Sequence, residues 1–282
     1  MELLQPSSAE EAAAALGNGS RALAGGTELV PLLRDGLVHA ETLVHVGGVV
    51  PRGIEGNRIG AGTTLAELER DPHVPKALRE ASTQAASPQL RSMGTIGGNL
   101  LQATRCWYWR LGFECWLHGG ERCFAKDGAH REHAIFGNED CASAHPSDLG
   151  AALVALNATL RTTRRELAVA DLYRLPTVDN REVTTLAPDE LILDLELATP
   201  ESSTYLKAMD RRKWAFPIVG VAAARFDDET RVALAGVAPI PWRLESATDL
   251  DEATPLPGTA YKVDLARTLV RRALAELNQS TR

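Results

Sequence analysis

Apolar residues recur along this chain with two different periods, and these periods predict its helices and strands. Residues 191–197 alternate apolar and polar side chains almost without interruption, as a half-buried strand does. Thr64 stands where its hydroxyl can cap a following helix, and the pair Ser87-Pro88 is expected to end the helix before it. The predicted helices are 10–16, 29–34, 65–70, 74–86, 147–156 and 263–277, and the predicted strands are 21–24, 42–46, 57–62, 159–163, 191–197, 219–226 and 232–237.

The pattern changes character near residue 170 and is interrupted earlier by one long aperiodic segment. After that point, three strands (191–197, 219–226 and 232–237) and a terminal amphipathic helix predict an α+β module with an antiparallel sheet. The aperiodic segment, 106–146, is rich in Gly, His, Cys and aromatic residues. A loop of this length inside a domain is usually functional. We therefore expect two domains, 1–170 and 171–282, with a functional insertion in the first.

Composition excludes several classes of protein. The chain has 282 residues, 44% hydrophobic and 24% charged, which is typical of a globular protein. Its net charge of −7, without any strongly basic run, predicts no nucleic-acid partner. No stretch approaches the roughly 18 apolar residues of a membrane span. The first eight residues lack the basic start and apolar core of a signal peptide, so we expect a cytoplasmic protein.

Two glycine-containing segments are candidates for binding phosphate. The segment 24–29 (Ala-Gly-Gly-Thr-Glu-Leu) follows a predicted strand and opens a predicted helix. The segment 94–99 (Gly-Thr-Ile-Gly-Gly-Asn) repeats the same combination of adjacent glycines and a hydroxyl. Glycine lets backbone N–H groups approach a ligand closely, and a helix N-terminus adds a positive partial charge. Two such segments suit a ligand with two phosphates, such as a dinucleotide, although neither is a Rossmann fingerprint or a P-loop.

The four cysteines all lie in the aperiodic segment, at Cys106, Cys115, Cys123 and Cys141. Their spacing is C-x8-C-x7-C-x17-C, which lacks the C-x2-C pair of a zinc ribbon. Four thiolates in one loop can bind zinc or a four-cysteine iron–sulfur cluster, and reduced cysteines without metal are a third possibility. The His-x2-His pair 130 and 133 keeps a mixed zinc site open. Spacing alone does not separate these alternatives.

Taken together, several motifs make the chain resemble a known family nearly from end to end. It is similar to the FAD-binding medium subunit of molybdenum hydroxylases, the xanthine dehydrogenase and carbon monoxide dehydrogenase type. The motifs that carry the resemblance are Ala24-Gly-Gly-Thr, Ile59-Gly-Ala-Gly-Thr-Thr-Leu, Gly94-Thr-Ile-Gly-Gly-Asn, Ser147-Asp-Leu, Tyr205-Leu-Lys with Arg211-Arg212, and the tail 261–273.

The resemblance implies a fold and a set of partners. The fold would be α+β, with a two-subdomain α/β FAD-binding domain of the PCMH type and a small C-terminal domain with a three-stranded antiparallel sheet. Partner chains would be a large molybdopterin-binding subunit, where substrate is oxidised, and a small subunit with 2Fe–2S clusters. Electrons would then pass through FAD in this chain to an acceptor. No side chain of this chain is expected to act as a general acid or base, because the flavin carries the chemistry.

The resemblance also implies cofactor-binding residues. Asp148 would bind the ribityl chain of FAD, Phe216 would touch the flavin, and Lys207 belongs to the same site. Two positions depart from the family pattern: Glu28 replaces a frequent Asp, and Lys213-Trp214-Ala215 replaces a more acidic run. The expected contacts with the pyrophosphate and its surroundings are Ala22, Leu23, Ala24, Gly25, Gly26, Thr27, Glu28, Leu29, Thr95, Ile96, Gly97, Gly98 and Asn99.

For the cysteines, the resemblance favours an iron–sulfur cluster. Subunits similar to 4-hydroxybenzoyl-CoA reductase and bacterial aldehyde oxidoreductase carry a cysteine-bearing insertion at this place that holds a 4Fe–4S cluster. Cys106, Cys115, Cys123 and Cys141 match that set in number and location. Two other functions stay open at this point: a self-sufficient flavin oxidase of the vanillyl-alcohol oxidase type, and a zinc-stabilised scaffold without enzymatic activity.

Overall fold

A computed structural model describes residues 1–17, 19–211, 215–227 and 229–279 of the chain. The segment Lys213-Trp214, whose composition departs from the family pattern, and Arg212 of the Arg211-Arg212 motif lie outside the described residues. None of the helices in these ranges is long and apolar enough to cross a membrane.

The described ranges contain helices and strands throughout their length. The helices are α1 (Ala9–Ala14), α2 (Leu29–Arg34), α3 (Leu65–Arg70), α4 (Lys76–Gln84), α5 (Pro88–Met93), α6 (Ile96–Leu100), α7 (Trp107–Arg110), α8 (Phe124–Asp127), α9 (Asp148–Ala155) and α10 (Tyr261–Gln279). The strands are β1 (Glu2–Leu4), β2 (Ser20–Leu23), β3 (Thr42–His45), β4 (Ile54–Glu55), β5 (Arg58–Gly60), β6 (Thr159–Thr162), β7 (Glu166–Ala168), β8 (Ile192–Glu196), β9 (Ser202–Ala208), β10 (Val219–Phe226), β11 (Glu229–Ala235) and β12 (Trp242–Leu244).

Two sheets form the N-terminal part of the molecule. The first is parallel, in the order β1-β3-β2, and its core includes Ala12, Val44 and Val46. The second has the order β4-β5-β8-β6-β7. Strand β8 pairs with both β5 and β6 in this sheet, so it does not belong to the C-terminal sheet as its position after residue 170 led us to expect. Alternation of side chains identifies a strand but not its pairing partners.

The C-terminal sheet is antiparallel, in the order β12-β11-β10-β9, with α10 packed on it. The three long strands β9, β10 and β11 form the expected three-stranded unit, and the short β12 extends its edge. Strand β9, which the sequence pattern did not predict, takes the place that we had given to β8. This strand carries Tyr205 and Lys207 towards the N-terminal part.

Helix α9 lies between the two parts of the molecule, and all eight of its residues are buried. Ser147 caps this helix by accepting a hydrogen bond from the amide of Gly150, and the helix then packs against α4, β10 and β11. Leu149 and Leu153 belong to the largest hydrophobic core. Asp148, the first residue of α9, is therefore held at a fixed and buried position between the two parts of the molecule.

Local capping signals decide where several helices begin. Thr64 forms a complete capping box with Glu67 at the start of α3, as its position predicts. Ser87-Pro88, which we expected only to end a helix, also begins α5, with Ser87 as the cap and Pro88 in the first turn. The predicted glycine loop 94–99 is partly helical, because Thr95 caps the short helix α6. Phosphate-binding candidates in this segment therefore lie in the first turn of a helix.

The cysteine-bearing insertion is ordered in two halves. Its first half contains the short helices α7 and α8 and a 3-10 turn, Trp116–His118. Its second half bonds to the C-terminal part: the amides of Ile135 and Phe136 donate to Val237 O, and the amide of His145 donates to Ala238 O. Lys262 of α10 adds hydrogen bonds from its buried Nζ to the carbonyls of Glu132, His133 and Gly236.

Candidate functional site

Two neighbouring cavities contain most of the residues expected to bind FAD. The glycine cavity has a volume of about 330 Å³. It is lined by Ala22, Ala24, Gly25, Gly26, Thr27, Glu28, Leu29, Thr95, Gly97 and Gly98, together with apolar residues that include Val46, Val50, Leu191 and Ile192. The aspartate cavity, about 110 Å³, is lined by Asn99, Gln102, Arg105, Asp148 and Phe216 among others. Both cavities share Thr27, Glu28, Thr95 and Gly98 as walls, so together they suit one elongated ligand.

The glycine at the start of the first loop is required by a close backbone contact. A Cβ atom on Gly25 would lie 1.8 Å from the carbonyl oxygen of Met93, at the end of α5. The next residue, Gly26, has a φ of +70°, which favours glycine. The two candidate phosphate loops are therefore in direct backbone contact, although they are far apart in the sequence.

The two loops differ in the backbone donors that they offer. Within the described ranges, the amides of Gly25, Gly26 and Thr27 form no hydrogen bond with the protein. In the second loop, the amide of Ile96 donates to Thr63 O, that of Gly97 to Ala61 O, and that of Gly98 to Thr95 Oγ1. The first loop therefore has free donors for an anion, whereas the second supplies shape, a hydroxyl and the start of α6.

Three of the expected contact residues lie outside both cavities. Leu23 ends β2, and Ile96 is completely buried in the core. Lys207 reaches the site indirectly, because its Nζ lies 2.8 Å from Oδ2 of Asp148 and 3.0 Å from the carbonyl of Gln84. The other proposed residues of this site line at least one cavity.

Asp148 is a buried carboxylate with two protein partners. Lys207 donates to one oxygen and the hydroxyl of Tyr205 donates to the other. Burial raises the pKa of Asp148, while the charge of Lys207 and the two hydrogen bonds oppose that rise. Each carboxylate oxygen retains a second lone pair, so Asp148 can still accept a hydrogen bond from a hydroxyl in the aspartate cavity.

The four cysteines line one small cavity within the insertion, surrounded by aromatic side chains. Cys106, Cys115 and Cys123 each stand immediately before a helical turn. Amides of Tyr108 and Trp109 point to Cys106, and those of Ala125, Lys126 and Ala142 point to Cys123. Hydrogen bonds to sulfur stabilise thiolates, which are the form that binds metal.

The hydrogen bond between Cys123 and Cys141 shifts the pKa values of these two thiols in opposite directions. A hydrogen bond from Cys141, with the amides, lowers the pKa of Cys123 to about 5, whereas the same contact and burial raise that of Cys141. Burial raises the pKa of Cys106 to about 11. All four thiols are free of disulfides. In the described part of the chain, no three His, Cys, Asp or Glu side chains are grouped so as to hold a single metal ion.

The two histidines of the His-x2-His pair have different surroundings. His130 is occupied on both ring nitrogens, by the carbonyl of Ala125 and the amide of Gly258. His133 Nε2 lies 3.2 Å from the sulfur of Cys106, and burial lowers the pKa of this histidine to about 4. The Nδ1 atom of His133 is buried without a partner in the described ranges. Their different partners do not direct His130 and His133 towards one zinc ion.

Sequence reasoning missed a network of ionic contacts between the glycine loop and the insertion. Glu28 Oε2 accepts a hydrogen bond from Arg105 at 2.7 Å, and Oε1 accepts from Arg110 at 2.5 Å and from the amide of Ala103 at 3.1 Å. Arg105 directly precedes Cys106, and Arg110 ends α7. In the sequence, this network is indicated only by the replacement of the frequent Asp by Glu at position 28. The longer side chain of Glu28 reaches the insertion.

Comparisons with known proteins agree with this geometry. The family model described as the FAD binding domain in molybdopterin dehydrogenase matches residues 1–200. The chain is 35% identical over 290 residues to the aldehyde oxidoreductase FAD-binding subunit PaoB of Escherichia coli, covering 92% of this chain and 91% of that protein. It is 41% identical over 92 residues to the carbon monoxide dehydrogenase medium chain of Afipia carboxidovorans, covering 30% and 32% of the two chains.

Solved structures share the fold over nearly the whole chain. The carbon monoxide dehydrogenase of Hydrogenophaga pseudoflava matches with a TM-score of 0.71 and 22% identity, covering 99% of this chain and 98% of that chain. Quinoline 2-oxidoreductase from Pseudomonas putida 86 matches with a TM-score of 0.68 and 19% identity, covering 99% and 96%. At these identities the likeness concerns the fold.

Proposed function

This chain belongs to the family of FAD-binding subunits of molybdopterin dehydrogenases, and we propose that it passes electrons between iron–sulfur clusters and an acceptor through FAD. The chain is thus an oxidoreductase subunit. The observation that carries the proposal is the pair of adjoining cavities. One has free backbone amides suited to a pyrophosphate, and the other contains a buried carboxylate suited to the hydroxyls of a ribityl chain.

FAD would lie across both cavities. The amides of Gly25, Gly26 and Thr27 would donate to phosphate oxygens, and Thr95 would add a hydroxyl near them. Asp148, fixed by Lys207 and Tyr205, would accept from a ribityl hydroxyl, and Phe216 would contact the flavin. The flavin supplies the redox chemistry, while these residues bind it, orient it and exclude water.

For the four cysteines, we propose a 4Fe–4S cluster, with Cys106, Cys115, Cys123 and Cys141 as ligands. Support comes from their common cavity, their backbone N–H···S contacts and their aromatic surroundings. A single zinc ion fits less well, because the described cysteines and histidines do not group around one point. Arg105, which precedes the proposed ligand Cys106 in the chain, would lie between the cluster and the flavin site.

The working complex would contain a large molybdopterin-binding chain and a small chain with 2Fe–2S clusters. PaoB is named as the FAD-binding subunit of an aldehyde oxidoreductase, and it matches this chain over 92% of its length. We therefore propose an aldehyde as the substrate class of the complex. The cytoplasmic location expected from the sequence is kept as part of the proposal.

Strand β8 completes the sheet of the first proposed domain. The expected domain boundary near residue 170 would accordingly be crossed by one returning strand.

Cofactor analysis of the purified protein tests this function. The chain, co-purified with its partners from the native host, should contain one FAD, four iron atoms and four acid-labile sulfides beyond those of the 2Fe–2S subunit, as well as molybdenum in the large chain. Zinc in place of iron would contradict the cluster alone. Absence of flavin, or full substrate turnover by this chain in isolation, would contradict the electron-transfer role and favour a self-sufficient oxidase or a scaffold.

A further inference from the structure

Arg105 occupies a position between the two redox sites that the proposed function leaves without a role. It lines the aspartate cavity together with Asp148 and Phe216. It also lines a smaller adjoining cavity with Cys106, to which it is joined in the chain, and with His133. A single side chain therefore faces the proposed flavin site on one side and approaches the cysteine cavity on the other.

The contacts of Arg105 leave its buried Nε–H without a partner among the described residues. Its Nη2 donates to Glu28 Oε2 at 2.7 Å and to Gln102 Oε1 at 3.1 Å. Its guanidinium carbon lies 4.4 Å from the centre of the Phe216 ring. Its Nε is buried and has no hydrogen-bond partner among the described residues. A buried donor without a partner is costly, so a bound ligand is a natural acceptor for it.

The charge at this position is also unbalanced. The carboxylate of Glu28 faces two guanidinium groups, those of Arg105 and Arg110, so one positive charge is left over. Arginine keeps its charge even when burial lowers its pKa, as it does for Arg105. Of the two arginines, only Arg105 lines the aspartate cavity. The excess positive charge therefore lies beside the proposed flavin site.

We propose that Arg105 contacts the bound flavin through its Nε–H donor and favours flavin reduction by stabilising the negative charge that reduction leaves on the ring. Reduction of FAD by two electrons with uptake of one proton gives a ring with one additional negative charge. The electrons come from the reduced iron–sulfur centres of the complex, and the proton comes from solvent. Glu28 is a positioning residue in this scheme, because it holds the guanidinium against the cavity wall.

This inference rests on the proposed flavin site, and a redox titration separates the two. The protein is purified in its complex, and the flavin is titrated with dithionite in a spectroelectrochemical cell, with FAD content and FAD dissociation constant measured in parallel. The variants are Arg105→Gln, which removes the charge, and Arg105→Lys, which keeps the charge but lacks Nε–H. Arg34→Gln is the matched control, because Arg34 is an exposed arginine at the end of α2 that pairs with Asp35 and lines neither cavity.

We expect Arg105→Gln to shift the two-electron reduction equilibrium against reduction by roughly tenfold or more, about 30 mV, since a charge-assisted hydrogen bond is lost. Arg105→Lys should give a smaller shift, and Arg34→Gln should stay near the wild-type potential. A wild-type potential in both Arg105 variants, or an equal shift in Arg34→Gln, would overturn the inference. If the Gln variant does not fold, a wild-type potential in Arg105→Lys would still overturn the role of Nε–H. Absence of FAD from the wild-type protein would instead overturn the proposed function.

Discussion

Lys207 and Asp148 form a buried ion pair, with Nζ 2.8 Å from Oδ2 and with side chains 0% and 3% exposed. The two residues come from different parts of the molecule, since Lys207 lies on β9 of the C-terminal sheet and Asp148 begins α9. Their contact fixes Asp148, which lines the aspartate cavity. Because the pair is buried, removing either residue leaves the charge of the other without a counter-ion.

Lys207→Met should therefore destabilise the protein by about 3–5 kcal/mol, because a buried carboxylate loses its counter-ion. The double variant Lys207→Met with Asp148→Asn should recover much of this loss, since the amide oxygen of Asn still accepts from Tyr205. Urea unfolding of the FAD-depleted protein measures both. The control is Lys76→Met, in an exposed pair with Glu80, which should change stability by less than about 1 kcal/mol. Equal costs for Lys76→Met and Lys207→Met would contradict the buried pair.

Gly98→Ala should reduce FAD affinity at least about tenfold, or about 1.4 kcal/mol, while the fold is kept. A Cβ atom at this position meets only Thr95 Oγ1, at 3.1 Å, in the protein itself, and Gly98 lines both cavities. Alanine also favours the helical turn of α6, so thermal stability should not fall. Equilibrium dialysis with FAD and a thermal melt provide the measurements.

The control for this variant is Gly48→Ala, because a Cβ atom there meets nothing within 4 Å and Gly48 lines neither cavity. Gly25→Ala is a poorer test, since its Cβ would collide with the backbone of Met93 and would disturb the fold itself. Normal FAD affinity in Gly98→Ala would show that the cofactor does not approach α6 as proposed.

The structure agrees best with the predicted elements where residues close together in the chain determine it. The capping position of Thr64, the apolar helix after Ser147 and the turn-forming glycines at 25 and 26 are set by residues close together in the chain, so patterns could predict them. Pairing over long distances gave no such signal. The partners of β8 and the existence of β9 depend on tertiary contacts, which alternation does not encode.

The same distinction between local signals and long-range contacts holds for the residues of the candidate site. Glycines, Asp148 and the cysteines could be proposed from motifs, whereas the contacts of Glu28 with Arg105 and Arg110 span 77 and 82 residues. The partner of Arg110 lies in the glycine loop, because the insertion folds back onto that loop through Ala103.

Replacing Cys115 and Cys123 together by Ser should remove the iron and leave FAD bound with moderately reduced affinity. Four metal bonds would contribute folding energy to the insertion, whose sequence has no periodic pattern of its own. In the structure, the second half of the insertion is also anchored by Ile135, Phe136 and His145 to the C-terminal part. Only the first half, 107–128, should become mobile and open to proteases.

Iron and FAD per chain, together with the sites of limited proteolysis, check this prediction. Leu111→Ser is the matched control, because Leu111 lies in the same half of the insertion and is 72% exposed. It should retain both iron and FAD. Complete loss of FAD in the double cysteine variant, or cleavage beyond residue 133, would show that the cluster holds the whole insertion. An unchanged FAD affinity would show that the insertion is independent of the flavin site.

His145 should make the stability of the protein depend on pH below neutrality. Its buried ring accepts a hydrogen bond from the amide of Ser147 at Nδ1 and packs edge-on against Tyr173, and burial lowers its pKa from 6.5 to about 3. As the pH falls below 6.5, the unfolded chain takes up a proton at this position while the folded chain does not. Stability from this residue is therefore fully present above pH 6.5 and is lost progressively as the pH falls towards 3.

The part of the slope that comes from His145 should reach at most about 1.4 kcal/mol per pH unit, the value for one proton. Buried His133, whose pKa is lowered to about 4, adds its own part over the same pH range. Urea unfolding at several pH values between roughly 6.5 and 4.5, above the range in which most carboxylates titrate, measures it. His145→Gln should lower stability at pH 7 but flatten the slope, because glutamine does not titrate. His73→Gln is the control, since His73 is 83% exposed at its side chain and should leave the slope unchanged. A wild-type slope in His145→Gln would show that other groups produce the acid sensitivity of the fold.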